Sequence, residues 1–185
     1  MKTLKILTVI IIFLSITLYA QDNNIEKHPG YFEFGELSSL DQGEEGAEIF
    51  IEEHLLKMVA KFSKHEDEEL AALLNGLKLV KVNTFEVSDR NAKALKDKLN
   101  SIQTTLKNNK WDRIIRIREN GEDMNVFLKT DRNKNINGLV IAGVGSDEKA
   151  IFVNIVGDID LEAIGKLGEK FDIPSLGNIN GKKKN

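Results

Sequence analysis

The stretch GLVIAGVGSDEKAIFVNIV, residues 138–156, holds two apolar runs that are separated by a short polar segment. Both runs are apolar on both faces when they are read as strands, whose side chains alternate between the two sides of a sheet. Such strands lie in the middle of a sheet or are covered on both sides. We therefore predict a central β-hairpin, with residues 138–144 and 150–156 as its arms and Gly145-Ser146-Asp147-Glu148 as its turn.

The sequence just before this stretch predicts a second hairpin. Apolar residues alternate with polar ones on both sides of Asn120-Gly121, a pair that is common in tight turns. Arg116 and Arg118 then point away from the apolar face of the first arm. That face carries Trp111, Ile115 and Ile117 on the first arm and Met124, Val126 and Leu128 on the returning arm.

Helical spacing appears in the first half of the chain. A helix of about 18–20 residues is predicted after Ser88 and ends at Asn108-Asn109, because apolar residues recur every three or four positions. A shorter helix is predicted over 67–74, with Gly76 as a left-handed cap, followed by a long strand over 77–87. The apolar positions of the long helix are Ala92, Leu95, Leu99, Ile102 and Leu106.

Residues 47–62 fit two structures. The β-branched and aromatic residues of 47–51 favour a strand, and a helix over 53–63 would follow it. A helix that opens near Phe50 and runs through Phe62 fits as well, since apolar residues recur there at helical spacing. We prefer the strand followed by the helix.

This order of elements predicts an α+β fold. It consists of a single largely antiparallel sheet of five or six strands with helices packed mainly on one face. We expect a signal peptide over 1–20, an N-terminal linker over 21–42 in which Tyr31–Phe34 could form a short edge strand, a single domain over 43–172, and a flexible tail over 173–185.

The first twenty residues have the order of a secretory signal. Lys2 and Lys5 precede an uncharged run over 6–19, and Ala20 precedes a polar segment. An uncleaved anchor is the alternative, but the run is shorter than the ~20 residues that span a bilayer. Cleavage after Ala20 would leave 24 basic and 29 acidic side chains, hence a net charge of −5. We expect an exported protein that binds no nucleic acid and has no membrane span after cleavage.

Several chemistries are excluded by residue counts. The chain has no cysteine, which removes disulfides, thiolate metal sites, cysteine nucleophiles and a lipid-modified cysteine anchor. No G-x-S-x-G motif occurs and no histidine follows His65, so a serine–histidine hydrolase is not expected. His54 and His65 would lie ~16 Å apart along a helix, too far to share one ion. We therefore expect no enzyme activity and no catalytic, cofactor or metal site.

Two segments resemble ligand motifs only superficially. Gly143-Val144-Gly145-Ser146 is followed by a strand instead of a helix with a lysine, so it is interpreted as a hairpin turn and not as a phosphate loop. Asp158, Asp160 and Glu162 could suggest a divalent ion. We interpret Asp160 as the cap of a last helix that runs from Leu161 to about Glu169, because carboxylates at a helix start accept bonds from free N–H groups.

One charged surface is a candidate partner site. Arg116 and Arg118, with Lys129, would place fixed positive charges on an outward face that an acidic envelope protein could meet. Ordinary solvated strand residues are the alternative. Our main hypothesis is a non-enzymatic protein-interaction module, because the sheet should also expose edge strands. The alternative is a carrier of a small apolar ligand, with its pocket between the long helix and the sheet.

The chain resembles a family of exported bacterial proteins grouped as domain of unknown function 4252. The resemblance lies in NGLKLVKV (75–82) and NINGLVIAGVGSDEKAIFVNIVGDIDLEAIGKL (135–167), and covers roughly residues 30–172. The family has no assigned activity, cofactor or catalytic residues, so the resemblance implies none here. It implies an envelope-stress or signalling setting, since members are often encoded beside extracytoplasmic sigma-factor regulators. Many members carry a lipid-attachment cysteine, which this chain lacks.

Overall fold

The fold is seen in a computed structural model that describes residues 25–37, 40, 45–119, 121–145 and 148–160. The predicted signal peptide, the helix expected after Asp160 and the C-terminal tail lie outside the described residues. The described elements are a 3-10 helix Ile25–Lys27, strands β1 Gly46–Glu52, β2 Leu77–Glu86, β3 Asp112–Glu119, β4 Glu122–Thr130, β5 Ile136–Val144 and β6 Lys149–Gly157, and helices α1 Glu53–Ser63, α2 Glu68–Gly76 and α3 Ala92–Asn108.

The described strands form one antiparallel sheet of six, in the order β1-β2-β6-β5-β4-β3. The predicted α+β class and antiparallel sheet are thereby confirmed. The central hairpin β5–β6 pairs Leu139 with Ile155 and Ala142 with Phe152, and both its faces are largely buried. The second hairpin is β3–β4. Strand β1 followed directly by α1 confirms the preferred structure for residues 47–63.

Helix α2 differs from its prediction at the C-terminal end. Its start is as expected, because the Asp67 carboxylate accepts a bond of 2.9 Å from Leu70 N–H. Gly76 was predicted to be a left-handed cap, which is wrong: it is the last helical residue and its φ is not positive. A side chain is excluded there because a Cβ would lie 2.6 Å from the carbonyl oxygen of Asp158.

The three described helices are divided between the two faces of the sheet. Helix α3 packs Leu95, Ile102 and Leu106 on one face, here called the α3 face. Leu56 of α1 and Leu73 of α2 belong to the core cluster on the opposite α1/α2 face. Helices were predicted to lie mainly on one face. Two of the three described helices share a face, and the long helix α3 lies on the other. The reason is that the central strands are apolar on both faces and require cover on both.

The segment predicted to be a linker with an edge strand is part of the domain. Residues 31–37 form no strand. Phe32 and Phe34 are instead buried in the α3-face core, where Phe32 meets Trp111 edge to face at 6.1 Å. The buried Asn154 side chain fixes the segment to β6: it accepts a bond of 2.9 Å from Phe32 N–H and donates one of 3.0 Å to the Gly30 carbonyl.

Candidate functional site

One edge of the sheet is formed by β1, and alternate backbone groups of this strand point away from the sheet. The N–H of Glu86 donates to the carbonyl of Glu45 at 3.0 Å, so these two residues form a hydrogen-bonded pair across β1 and β2. Such pairs alternate along an antiparallel ladder. Ala47, Ile49 and Ile51 therefore bond to β2. The residues whose N–H and C=O groups point outward are Gly46, Glu48, Phe50 and Glu52.

No described strand pairs with the outer side of β1, and six of the seven strand residues are solvent-exposed. Pairing with β2 is regular over Gly46–Glu52, without a register shift. Ile49 and Ile51 face the α1/α2 side, since they pair with Val82 and Val80. A regular exposed edge of this kind is a template on which another strand can add.

Helix α1 continues this apolar surface. Its apolar residues span a wide arc, and only the side with Leu56 and Ala60 is buried. The rest of the arc faces solvent because the sheet and α2 already occupy the buried side. The exposed apolar residues of strand and helix, here called the β1–α1 surface, are Ile49, Phe50, Leu55, Met58, Val59 and Phe62, with exposed fractions from 39% to 76%. Phe50 belongs to the same edge but faces the α3 side, because it alternates with Ile49 and Ile51.

Charged side chains flank the β1–α1 surface. Lys57 Nζ lies 2.6 Å from the Glu53 carboxylate one turn earlier, and this hydrogen bond holds the pKa of Glu53 below its usual value. His54 Nδ1 lies 3.6 Å from Glu52 Oε2. An apolar centre with a polar rim is typical of protein interfaces.

The opposite edge of the sheet, β3, has a different character. Arg113, Arg116 and Arg118 lie on its α3 face and are exposed. The register shifts between Arg113 and Ile115, which leaves Ile114 as a bulge residue. Trp111 was predicted to share a face with Ile115 and Ile117, which is wrong: it lies in the α3-face core and they lie on the α1/α2 face. Arg118 is paired with Asp123 at 3.1 Å. A bulge and charged side chains discourage the addition of another strand.

The predicted partner surface is only partly brought together. Arg116 and Arg118 are neighbours on the same face of β3. Lys129 lies on that face too, but its ammonium group donates to the carbonyls of Asn109 and Lys110 at the end of α3. There it compensates the negative end of the helix dipole. Lys129 is thus engaged within the molecule, and its part in partner binding stays a prediction.

A cleft lies between α3 and the sheet, where the sequence suggested a ligand pocket. Its volume is about 300 Å³. Leu99, predicted to be a core residue, is half-buried and lines this cleft. Its polar lining residues include Arg118, Asp123 and the buried Asn125. The amide of Asn125 donates to Asp123 at 3.3 Å and accepts from Arg113 at 3.4 Å.

Potential metal ligands are not clustered in the described ranges. No group of three or more histidine or acidic side chains there is arranged to hold an ion. His54 and His65 are exposed on α1 and just after it. None of the helices described is long and apolar enough to cross a membrane.

Sequence reasoning did not identify the β1–α1 surface. The apolar residues of 50–62 were used to predict a helix, and no surface was inferred from them. Their number was the available signal: five large apolar residues within eleven helical positions exceed what one buried helix face requires.

The comparisons with known proteins identify a family and no activity. The family model described as domain of unknown function 4252 matches residues 41–167. No curated protein and no solved structure shows significant similarity to the chain. The family match includes β1, α1 and the cleft.

Proposed function

Because the chain belongs to the family of domain of unknown function 4252, whose description assigns no activity, we propose a function from its surface: an exported, non-enzymatic envelope protein that binds a protein partner. The observation that carries the proposal is the β1–α1 surface. Export rests on the N-terminal sequence, with Lys2, Lys5 and the uncharged run before Ala20. We propose a periplasmic or secreted location without a lipid anchor.

Burial of the exposed apolar side chains would favour partner binding. Each large apolar side chain gains roughly 1.5–3 kcal/mol when it is moved fully from water into a packed interface. Met58 and Val59 are about half exposed and Phe62 is 76% exposed, so they retain much of that free energy. Clusters of exposed apolar side chains often mark interaction sites.

The edge strand would supply the specificity. Outward N–H and C=O groups at Gly46, Glu48, Phe50 and Glu52 can bond to an added strand. Ile49 and Phe50 would then pack against side chains of that strand, one on each face of the sheet. The three arginines of β3 form a second candidate contact, for an acidic partner.

Tagged bait protein and extract of the host envelope test this proposal. We expect the bait to capture a protein in stoichiometric amount, and Met58→Lys with Phe62→Lys to abolish capture, because two charges would be buried in the interface. Ile114→Lys is the matched control: this residue is also exposed and apolar, but it lies on β3. Equal capture by all three proteins would refute the role of the β1–α1 surface.

The cleft supports a second candidate function, a carrier of a small ligand. A lining that combines the apolar Leu95, Leu99 and Val144 with a few polar groups is typical of binding pockets, although a volume of about 300 Å³ suits only a small molecule. Native mass spectrometry of host-purified protein tests it. A co-purified ligand should be lost in Leu99→Trp, which fills the cleft, and kept in Met58→Trp, which adds the same side chain elsewhere.

A further inference from the structure

The outer edge of β1 can pair with itself, which points to a specific partner. We propose that the partner on the β1–α1 surface is a second copy of this chain, joined by antiparallel pairing of the two β1 strands with Ile49 opposite Ile49. The two sheets would then form one sheet of twelve strands. This inference rests on the proposed function and names its partner.

Backbone geometry limits the registers that are available. Residues opposite each other in antiparallel strands must both point their N–H and C=O groups toward the partner or both away from it. Gly46, Glu48, Phe50 and Glu52 point outward, and the residues between them point to β2. The two-fold axis between the strands must therefore lie level with a residue of β1, which then faces its own copy. An axis level with a peptide bond would oppose an outward residue to an inward one.

Charge selects one register from this set. An axis at Glu48 would oppose Glu48 to itself, and an axis at Phe50 would oppose Glu48 to Glu52 twice. Like charges directly opposite each other destabilise a pair of strands. An axis at Ala47 or Ile51 would pair only part of the strand.

The axis at Ile49 pairs all seven residues of β1 without a like-charge opposition. Glu48 then lies opposite Phe50, and Glu52 opposite Gly46. On the α1/α2 face, Ile49 meets its own copy and Ala47 meets Ile51. Side chains at such opposed positions are close enough to pack, with Cβ atoms about 4.5–5.5 Å apart.

Helix α1 fits the same arrangement. A two-fold axis perpendicular to the joined sheet keeps equivalent elements on the same face, so both copies of α1 lie on the α1/α2 face. Each helix follows β1 directly and carries its exposed residues outside the side buried by Leu56 and Ala60. Both helices, with their exposed apolar residues, thus lie on the face on which Ile49 meets its own copy.

The other edge explains why pairing stops at two copies. The bulge at Ile114 and the exposed arginines disfavour addition at β3. An interface that uses the same strand from both copies closes on itself. We therefore infer a dimer and not a filament.

Single cysteines test the register, since the chain has no cysteine of its own. In Ile49→Cys the two Cα atoms would be about 4.5 Å apart, within the range of a disulfide. In the control Ala47→Cys, the two equivalent residues would be four positions apart, about 13 Å. We expect Ile49→Cys to form a covalent dimer under mild oxidation at least about tenfold faster than Ala47→Cys.

Charge substitution tests the position of the same axis without cross-linking. Ile49→Lys and Ile49→Glu each place like charges opposite each other, and each should weaken the dimer by at least about tenfold in sedimentation measurements. An equimolar mixture of the two variants should associate again as a heterodimer. Ile114→Lys, the matched change on β3, should leave the dimer unchanged.

Three outcomes would overturn the inference: a wild-type monomer at the highest soluble concentration, faster cross-linking at Ala47 than at Ile49, or no association in the mixture of charged variants. Failure of the proposed function is separate from these. If the wild type is monomeric but captures a different protein that is lost on Phe62→Lys, the β1–α1 surface binds a foreign partner and only the second-copy inference fails. If the bait captures neither a different protein nor its untagged copy, both fail.

Discussion

The two edge strands of the sheet, β1 and β3, differ in how readily another strand could pair with them. Neither pairs on its outer side with another strand among the residues that the structure describes. Strand β3 has a register shift at Ile114 and three exposed arginines, whereas β1 is regular over its whole length and carries Ile49 and Phe50 in the open. Protected edges are the usual state of soluble sheets. This contrast is the basis of our proposal that the β1 edge pairs with another strand.

The same contrast extends to the elements behind each edge. Helix α1 follows β1 and adds exposed apolar residues beside it, while Arg118 on the α3 face of β3 lines the cleft. Exposed apolar surface has a cost in water unless something covers it. The molecule therefore concentrates this surface at one edge and leaves charged groups at the other.

The largest predicted effect is a difference in the free energy of unfolding between substitutions on the buried and exposed sides of α1. Leu56→Ala should lower the free energy of unfolding by about 2–5 kcal/mol, because Leu56 is buried in the α1/α2-face core. Leu55→Ala, one residue earlier on the exposed side, should cost less than about 1 kcal/mol in a monomer. Urea denaturation of both variants measures the difference. Similar losses would mean that the exposed side of α1 also supports the fold.

The second prediction tests which backbone groups of β1 point outward. Ile49→Pro removes an N–H that bonds to β2 and should lower the free energy of unfolding by roughly 1–3 kcal/mol. Glu48→Pro removes an outward N–H, and its loss should be smaller by at least about 1 kcal/mol. The comparison by denaturant titration should be made under dissociating conditions. A larger loss at Glu48 would reverse the assignment of the outer edge.

The sequence alone predicted the hairpins because their evidence is local. Alternation around Asn120-Gly121 and the apolar arms of 138–156 each specify a pair of neighbouring strands. The N-terminal segment was missed because its support is distant: Phe32 depends on Asn154, which lies 122 residues away. An asparagine within an apolar strand was the available sign.

The candidate site was harder to predict than the fold. Helical spacing indicated α1 but could not show which part of its apolar arc the sheet covers. Gly76 was given a left-handed cap, whereas its small size is required by the chain crossing at Asp158. Both depend on tertiary packing, which periodicity does not describe.

The third prediction tests whether the exposed arginines of β3 prevent another strand from pairing with this edge. Arg116→Val should change the free energy of unfolding by no more than about 0.5 kcal/mol, because the side chain is exposed. It should nevertheless promote self-association, since it leaves this edge less charged and more apolar. Dynamic light scattering over a concentration series measures this. Arg132→Val, which removes the same charge from an exposed turn, is the control. Equal association of both variants would show that net charge alone matters.

The smallest predicted effect concerns the N-terminal segment, residues 31–37, which packs on the α3 face near β2. Glu33 approaches Lys81 of β2 at 3.9 Å. Burial raises the pKa of Glu33, but hydrogen bonds from the Tyr31 hydroxyl at 2.6 Å and the Gly35 N–H at 3.0 Å, together with nearby lysines, bring that pKa below its usual value. The folded state therefore favours the ionised carboxylate.

A carboxyl group whose pKa is lower in the folded state stabilises the fold above its unfolded pKa, and this contribution is lost as the pH falls through the folded value. The wild type should thus have a higher Tm than Glu33→Gln at neutral pH, and the difference should shrink below about pH 4.5. Because Glu33 is exposed and screened by water, we expect only about 1–2 °C. Tyr31→Phe, which removes one donor, should reduce the same pH dependence in calorimetry. A Tm difference that stays constant with pH would mean that packing of Phe32 and Phe34, and not the charge of Glu33, holds this segment on the sheet.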